Sequence, residues 1–138
     1  MSTDILLRLG IASLLALALV GAYQGFNRLF LFRKRHRLEA SGLAFTKGVP
    51  ALLYFSSPDC VPCRTIQRPV VERLAQSFGQ KLQIIEIDTL QSPDITRSWG
   101  ILSLPTTIVV DTKGQPHTVN HGIVSLEALE RQVQAVLV

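Results

Sequence analysis

Ser57-Pro58-Asp59-Cys60-Val61-Pro62-Cys63-Arg64 holds both cysteines of the chain, and the stretches on either side of it decide the fold. Two residues between the cysteines let both sulfurs sit on the first turn of a helix, close enough to close a small disulfide ring. Pro62 suits such a turn, because it lacks the N–H that a helix start leaves unpaired. Unpaired N–H groups at that end favour negative charge, so the leading thiol, Cys60, is expected to lose its proton more readily than a free cysteine. A thiolate is the attacking species in disulfide exchange. Ahead of the motif, Ala51-Leu52-Leu53-Tyr54-Phe55 is an unbroken apolar run bounded by turn residues, which fits a strand covered on both faces. Behind it, a helix is expected from about Val61 to Phe78. Strand, cysteine pair, helix is the setting of a redox motif.

A lone C-x-x-C can also be half of a zinc site. A structural zinc takes four closely spaced ligands, and the chain has no second cysteine pair; its histidines, His36, His117 and His121, are scattered. No metal or organic cofactor is therefore expected, and the redox-active Cys60–Cys63 pair is the reactive group.

Outward from the motif, Ile66, Val70, Val71, Leu74 and Phe78 recur at helical spacing and form the face expected to pack on a sheet. Pro69 lies inside this helix and is expected to kink it, and Gly79 to end it. Leu82 to Ile87 reads as a second strand, carrying Glu86. Ser92-Pro93-Asp94 reads as a capped helix start, running to about Trp99 with Gly100 as its stop. Leu104-Pro105-Thr106-Thr107 leads into a third strand at Ile108–Val110. Asp111 to Gly114 is a turn, and Gln115 to Asn120 a polar edge strand returning from it. Ser125 caps a last helix with one stripe of Leu126, Leu129, Val133, Val136 and Leu137. The order is α/β, with a parallel start and a hairpin finish.

The formal charge of +4 is not spread evenly. Arg28, Arg33, Lys34, Arg35 and Arg37 form one block, and the chain after Arg37 is close to neutral, so no nucleic-acid partner is expected. Before the block, Leu9 to Tyr23 carries no charge, and the apolar character extends from Ile5 to Phe32. About 20 apolar residues cross a bilayer, and Arg8 can snorkel from one end. A cleaved secretory signal would want a basic start, a shorter apolar stretch and a small-residue cleavage site; here Asp4 precedes Arg8. The expected organisation is an N-terminal membrane anchor at 1–32 with a transmembrane helix at about 6–28, a basic tether at 33–48 with an edge strand around Leu43 to Thr46, and a globular domain at 49–138. The basic trailing flank places the globular domain on the cytoplasmic side by the positive-inside rule, the alternative being the extracytoplasmic side.

The pattern resembles the thioredoxin family. Cys60-Val61-Pro62-Cys63-Arg64 after a strand, Leu104-Pro105-Thr106 opening a later strand, Gly122 before the last helix and the proline kink at Pro69 carry the resemblance, from Ala51 to Val138. It implies a thioredoxin-like fold, a mixed central sheet flanked by helices. It also implies that Pro105 is cis and lies against the cysteine pair, and that Leu104 makes backbone contact with a bound substrate, with Thr106 beside them. There are departures. Asp59 stands where the family has Trp, and Tyr54 where it has a buried Asp thought to deprotonate the second cysteine. Glu86 on the adjacent strand is a candidate to approach the site, the alternative being an exposed carboxylate. Asp59 should raise the Cys60 pKa, whereas Arg64 and the helix end should lower it. The family's opening strand and helix also look shortened here.

The function expected is that of a membrane-tethered protein-disulfide reductase: Cys60 attacks a client disulfide and Cys63 resolves the mixed disulfide. Its partners would be disulfide-containing clients, membrane lipids, and an electron-donating reductase or membrane electron carrier. The rival reading is a non-catalytic client-binding or redox-sensing module; an extracytoplasmic thiol protein serving cytochrome or disulfide maturation is the other alternative.

Overall fold

Ala51–Ser56 forms strand β1, and every one of its residues is buried. Successive side chains of a strand point to opposite faces, so the apolar run divides between two cores. Leu52 and Tyr54 enter one, with Cys63, Val71, Leu74, Val109, Leu129 and Val133; Ala51, Leu53 and Phe55 enter the other, with Ile87, Trp99, Ile108 and Val110. Each fully buried leucine contributes about 1.5–3 kcal/mol relative to an exposed one. This computed structural model describes the backbone of residues 2–40 and 42–137 and the side chains of residues 3–27 and 42–137.

Around β1 the sheet is completed by β2 (Gln83–Asp88), β3 (Thr106–Val110) and β4 (Pro116–His121), in the order β2-β1-β3-β4. β1 pairs parallel to β2 and antiparallel to β3, and β3 and β4 form an antiparallel hairpin. A register shift at Val109/Val110 brings Val110 opposite Pro116, and a proline, having no N–H to give, is tolerated on such an edge strand. The hairpin turn is held by Asp111, whose Oδ1 accepts the Lys113 and Gln115 N–H groups at 2.9 and 2.8 Å. Helices α2 (Arg68–Phe78) and α4 (Leu126–Leu137) cover the Tyr54 face, and α3 (Pro93–Ser98) contributes Ile95 to the Phe55 face. Trp99 packs on Phe55 with ring centroids 6.5 Å apart. Ser125 caps α4, accepting the Ala128 N–H at 3.3 Å.

The chain divides into two compact units, Met1–Lys34 and Arg35–Val138. Helix α1 runs from Ser2 to Ala40, and within it Thr3–Asn27 is long and apolar enough to cross a bilayer, with none of it buried. The tether expected at 33–48 is thus helical in backbone through Ala40 and irregular from Gly42 on. The side chains of Arg28, Arg33, Lys34, Arg35, His36 and Arg37 lie outside the described residues, as does Ser41.

Some details differ from the sequence reading. No strand forms at Leu43–Thr46, because the Gln83 side chain takes up the backbone there: its Oε1 accepts the Thr46 N–H, and its Nε2 donates to the Thr46 and Val49 carbonyls, all at 2.9 Å. Leu43 and Phe45 pack on the Phe55 core. Ser92 precedes α3 without a side-chain cap; instead its carbonyl accepts the Thr96 hydroxyl at 2.8 Å. The break near Pro69 is a π turn, Cys63–Gln67, placed just before it. Ile66 is 48% exposed and Gln67 is fully buried, since the inward stripe runs Cys63, Gln67, Val71, Leu74.

Candidate active site

The chain leaves β1 at Ser56 and turns through Ser57–Asp59, and the helix begins at residue 61. The Cys60 N–H donates to the Ser57 carbonyl at 3.1 Å, and the Arg64 N–H to the Cys60 carbonyl at 3.3 Å. Pro62 has helical dihedrals (φ −64°, ψ −28°). Cys60 and Cys63 are joined as a disulfide, with S–S 2.02 Å and Cα–Cα 5.3 Å. The two sulfurs are unequal: Cys60 is half-buried, whereas Cys63 is 1% exposed. The Cys63 N–H points at Cys60 Sγ, 3.3 Å away. That donor faces the sulfur which carries negative charge once the bond is reduced.

Asp59 and Arg64 are both exposed. Arg64 Nη1 donates to the Pro58 carbonyl at 3.2 Å and makes no ion pair with Asp59; it braces the loop that enters the cysteine turn.

Tyr54 reaches the site from below. Its hydroxyl donates to the Cys63 carbonyl at 2.6 Å, and Tyr54 is 1% exposed. Burial pushes this hydroxyl above its ordinary pKa; Arg68 pulls it down and Glu86 pushes it up. Glu86 is the β2 partner of Tyr54 in the sheet. Its carboxylate accepts the Ser56 hydroxyl at 3.1 Å and is held by both terminal nitrogens of Arg68, Nη1 to Oε2 at 3.0 Å and Nη2 to Oε1. That partnership keeps the Arg68 guanidinium charged more firmly than usual. Glu86 is therefore a surface carboxylate tied into an ion pair.

The second wall comes from the loop before β3. The Leu104–Pro105 peptide bond is cis, and Pro105 is buried. Its carbonyl accepts the Gly122 N–H at 2.8 Å, and Gly122 takes a positive φ of 86° that suits glycine. Thr106 is fully buried, its hydroxyl donating to the Ser103 carbonyl at 2.7 Å. Cys60 and Leu104 both pack against the core that contains Cys63 and Tyr54, so the cysteine turn and this loop share one foundation. Beside them lies a groove of about 400 Å³ lined by Thr89, Thr96, Ile101, Leu102, Ser103 and Leu104, with Leu102 at 96% exposure on its rim. His117 and His121 are both exposed on β4, and among the described residues no cluster of three metal-ligating side chains occurs.

Sequence reasoning passed over Gln67, Ser56 and Arg68. Gln67 bonds the Val124 backbone and so fixes the π turn to the loop before α4. The signal was present: counting back from Leu74 through Val71 in helical steps reaches Gln67 and then Cys63, a polar residue on an apolar stripe.

Residues 33–134 match the family model described as TraF: F plasmid transfer operon protein. Among curated proteins, the chain is 38% identical over 90 residues to the chloroplastic thioredoxin M4 of Arabidopsis thaliana, covering 65% of this chain and 46% of that one. It is 35% identical over 88 residues to the thioredoxin of Bacillus subtilis, covering 64% and 82%. The chain spans about half the length of several of the curated relatives it matches. Among solved structures, thioredoxin-2 of the malaria parasite, described as a component of its protein secretion machinery, superposes with a TM-score of 0.63 at 21% identity, covering 68% of this chain and 89% of that one. At that identity the likeness is one of fold.

Proposed function

This chain belongs to the thioredoxin family, and to the family of the TraF model, and from that premise we propose that it is a membrane-tethered thiol-disulfide oxidoreductase acting as a protein-disulfide reductase. One observation carries the reading: a half-buried Cys60 and a buried Cys63 close a disulfide at a helix start, with a backbone N–H aimed at the outer sulfur.

Reduced Cys60, as thiolate, attacks one sulfur of a client disulfide, and the other client sulfur leaves as a thiolate. Cys63 loses its proton to solvent and attacks Cys60 Sγ; the Cys60–Cys63 bond forms and the second client sulfur departs. Two electrons pass to the client, and the pair is left as the disulfide seen in the structure. A reductase or a membrane electron carrier restores the dithiol. Pro62, Leu104, Pro105 and Thr106 shape the surface on which the client lies, with Leu104 presenting its backbone, and Asp59 and Arg64 tune the Cys60 thiol. Neither step needs a metal or organic cofactor.

Thr3–Asn27 is retained as the anchor, in contact with membrane lipids, and the five basic residues between Arg28 and Arg37 keep the domain on the cytoplasmic side. The domains run as anchor 1–32, tether 33–48 and thioredoxin-like 49–138.

The test is disulfide-reduction turnover by the full-length chain in detergent, together with Cys63→Ser expressed in cells. Turnover, with clients trapped as mixed disulfides on Cys60, is expected; no turnover and no trapped species would leave a non-catalytic module. A membrane-impermeant reductant followed by an impermeant maleimide reads the side: labelling only after permeabilisation is expected, and labelling of intact cells would reverse the orientation.

A further inference from the structure

Tyr54 is buried beneath the second cysteine, and its hydroxyl donates to that cysteine's backbone carbonyl. We propose that Tyr54 is the positioning residue for the resolving cysteine: by holding the Cys63 carbonyl it stabilises the π turn that presents Cys63 Sγ to Cys60. The inference rests on the redox reading above and adds a residue role to it.

Two hydrogen bonds meet at one carbonyl. Cys63 O accepts the Tyr54 hydroxyl at 2.6 Å. It also accepts the Arg68 N–H, five residues on, which is the π register. In an α-helix that acceptor would serve Gln67 instead. The Gln67 side chain meanwhile points away to Val124, in bonds of 3.3 and 2.9 Å. The wider turn and the tyrosine are thus coupled: a carbonyl taken by a neighbouring strand's hydroxyl is paired with a register that adds a residue to the loop. Mid-helix π turns of this sort recur at functional sites.

A positioning role, not that of a base, follows from the surroundings. The charged groups facing Tyr54 are Arg68 on α2 and Glu86 on β2, which act in opposite directions, and burial outweighs both in keeping the hydroxyl protonated. The hydroxyl therefore stays a donor while a thiol titrates. In the resolving step the Cys63 proton goes to solvent, and Tyr54 neither takes nor gives one. What it supplies is preorganisation: a second sulfur held in place attacks the first at a higher effective concentration.

The test equilibrates the reduced full-length chain in detergent with glutathione buffers and quantifies the Cys60–Cys63 disulfide by acid quench and alkylation, for wild type, Tyr54→Phe and Val71→Ala. Tyr54→Phe keeps the ring and is expected to lower the ratio of disulfide to dithiol threefold to tenfold, which makes the pair about 15–30 mV easier to reduce. Val71→Ala opens the same core away from the Cys63 carbonyl and is expected to lower the melting temperature while leaving that ratio within twofold. Tyr54→Phe within twofold of wild type, or Val71→Ala shifting the ratio as far as Tyr54→Phe, would overturn the proposal. The measurement involves glutathione alone, so an absence of client turnover would count against the reductase reading and leave this result standing.

Discussion

Gln67 and Val124, 57 residues apart in sequence, hydrogen-bond to each other in both directions: the Gln67 amide donates to the Val124 carbonyl at 3.3 Å, and the Val124 N–H donates back at 2.9 Å. A fully buried amide thereby splices the π turn to the loop ahead of α4, as a rung joins two strands. Gln67→Leu keeps the volume and strands both backbone groups. A buried polar group left unpaired costs about 1–3 kcal/mol, so the variant should lose about 2 kcal/mol and melt roughly 10 °C lower. Thermal unfolding of the detergent-solubilised chain, followed by the fluorescence of its single tryptophan, Trp99, reads this directly. A melting point within 2 °C of wild type would mean that water or a neighbour replaces the amide.

Tyr54 makes stability depend on alkaline pH. Its folded pKa lies above the ordinary tyrosine value because of burial, so the native state holds this proton more tightly than the unfolded chain. That contribution is complete below about pH 10, where unfolded tyrosine titrates, and is lost as pH rises through the folded pKa. Urea midpoints of the oxidised protein should fall more steeply above pH 10 for wild type than for Tyr54→Phe. Parallel slopes would remove Tyr54 as the source.

Phe45 lies against the backbone of Gly114, which has φ +82°; a methyl group built there would stand 3.2 Å from Phe45 Cε1. Gly114→Ala therefore meets both an unfavourable dihedral, worth roughly 1–2 kcal/mol, and a ring that must give way. The double variant Gly114→Ala/Phe45→Leu should lose less than the sum of its two single variants, since they share one contact. Additive losses in urea unfolding would show that the ring moves freely.

Arg68 and Glu86 are each about 40% exposed, and pairs open to solvent contribute little. Glu86→Gln should cost less than about 1 kcal/mol, with the difference from wild type shrinking as salt is raised. A loss above about 2 kcal/mol that persists at 0.5 M salt, a level which largely screens exposed charges, would assign the carboxylate a buried role through Ser56.

Much of this molecule was legible in its residues. The double-faced apolar run at Ala51–Phe55 and the stripe of α4 each obey a single period and each became the expected element, and the polar edge strand expected at Gln115–Asn120 formed at Pro116–His121. What failed was capture. Gln67 lies on the inward stripe that runs back from Leu74 through Val71 to Cys63, but a polar residue on an apolar stripe reads as surface until its distant partner, the Val124 backbone, is in place. Leu43–Thr46 looked like a strand, but pairing depends on who supplies the partner groups, and there a distant glutamine side chain supplies them. Glu86 could be placed on its strand, with approach to the site and exposure both open, since its partners Ser56 and Arg68 come from two other elements.

The clamp on the segment before β1 also sets the end of the domain by which the chain enters it. Gly48 donates to the Thr112 carbonyl at 2.9 Å, and Gln83 grips Thr46 and Val49, all at the end of the sheet where β1 begins. The cysteines lie past its other end, and six residues of strand set the two about 20 Å apart. The chain thus enters the domain at one pole and the sulfurs crown the other. Within this domain the entry of the chain and the reactive bond stand at opposite ends of β1, so neither crowds the other.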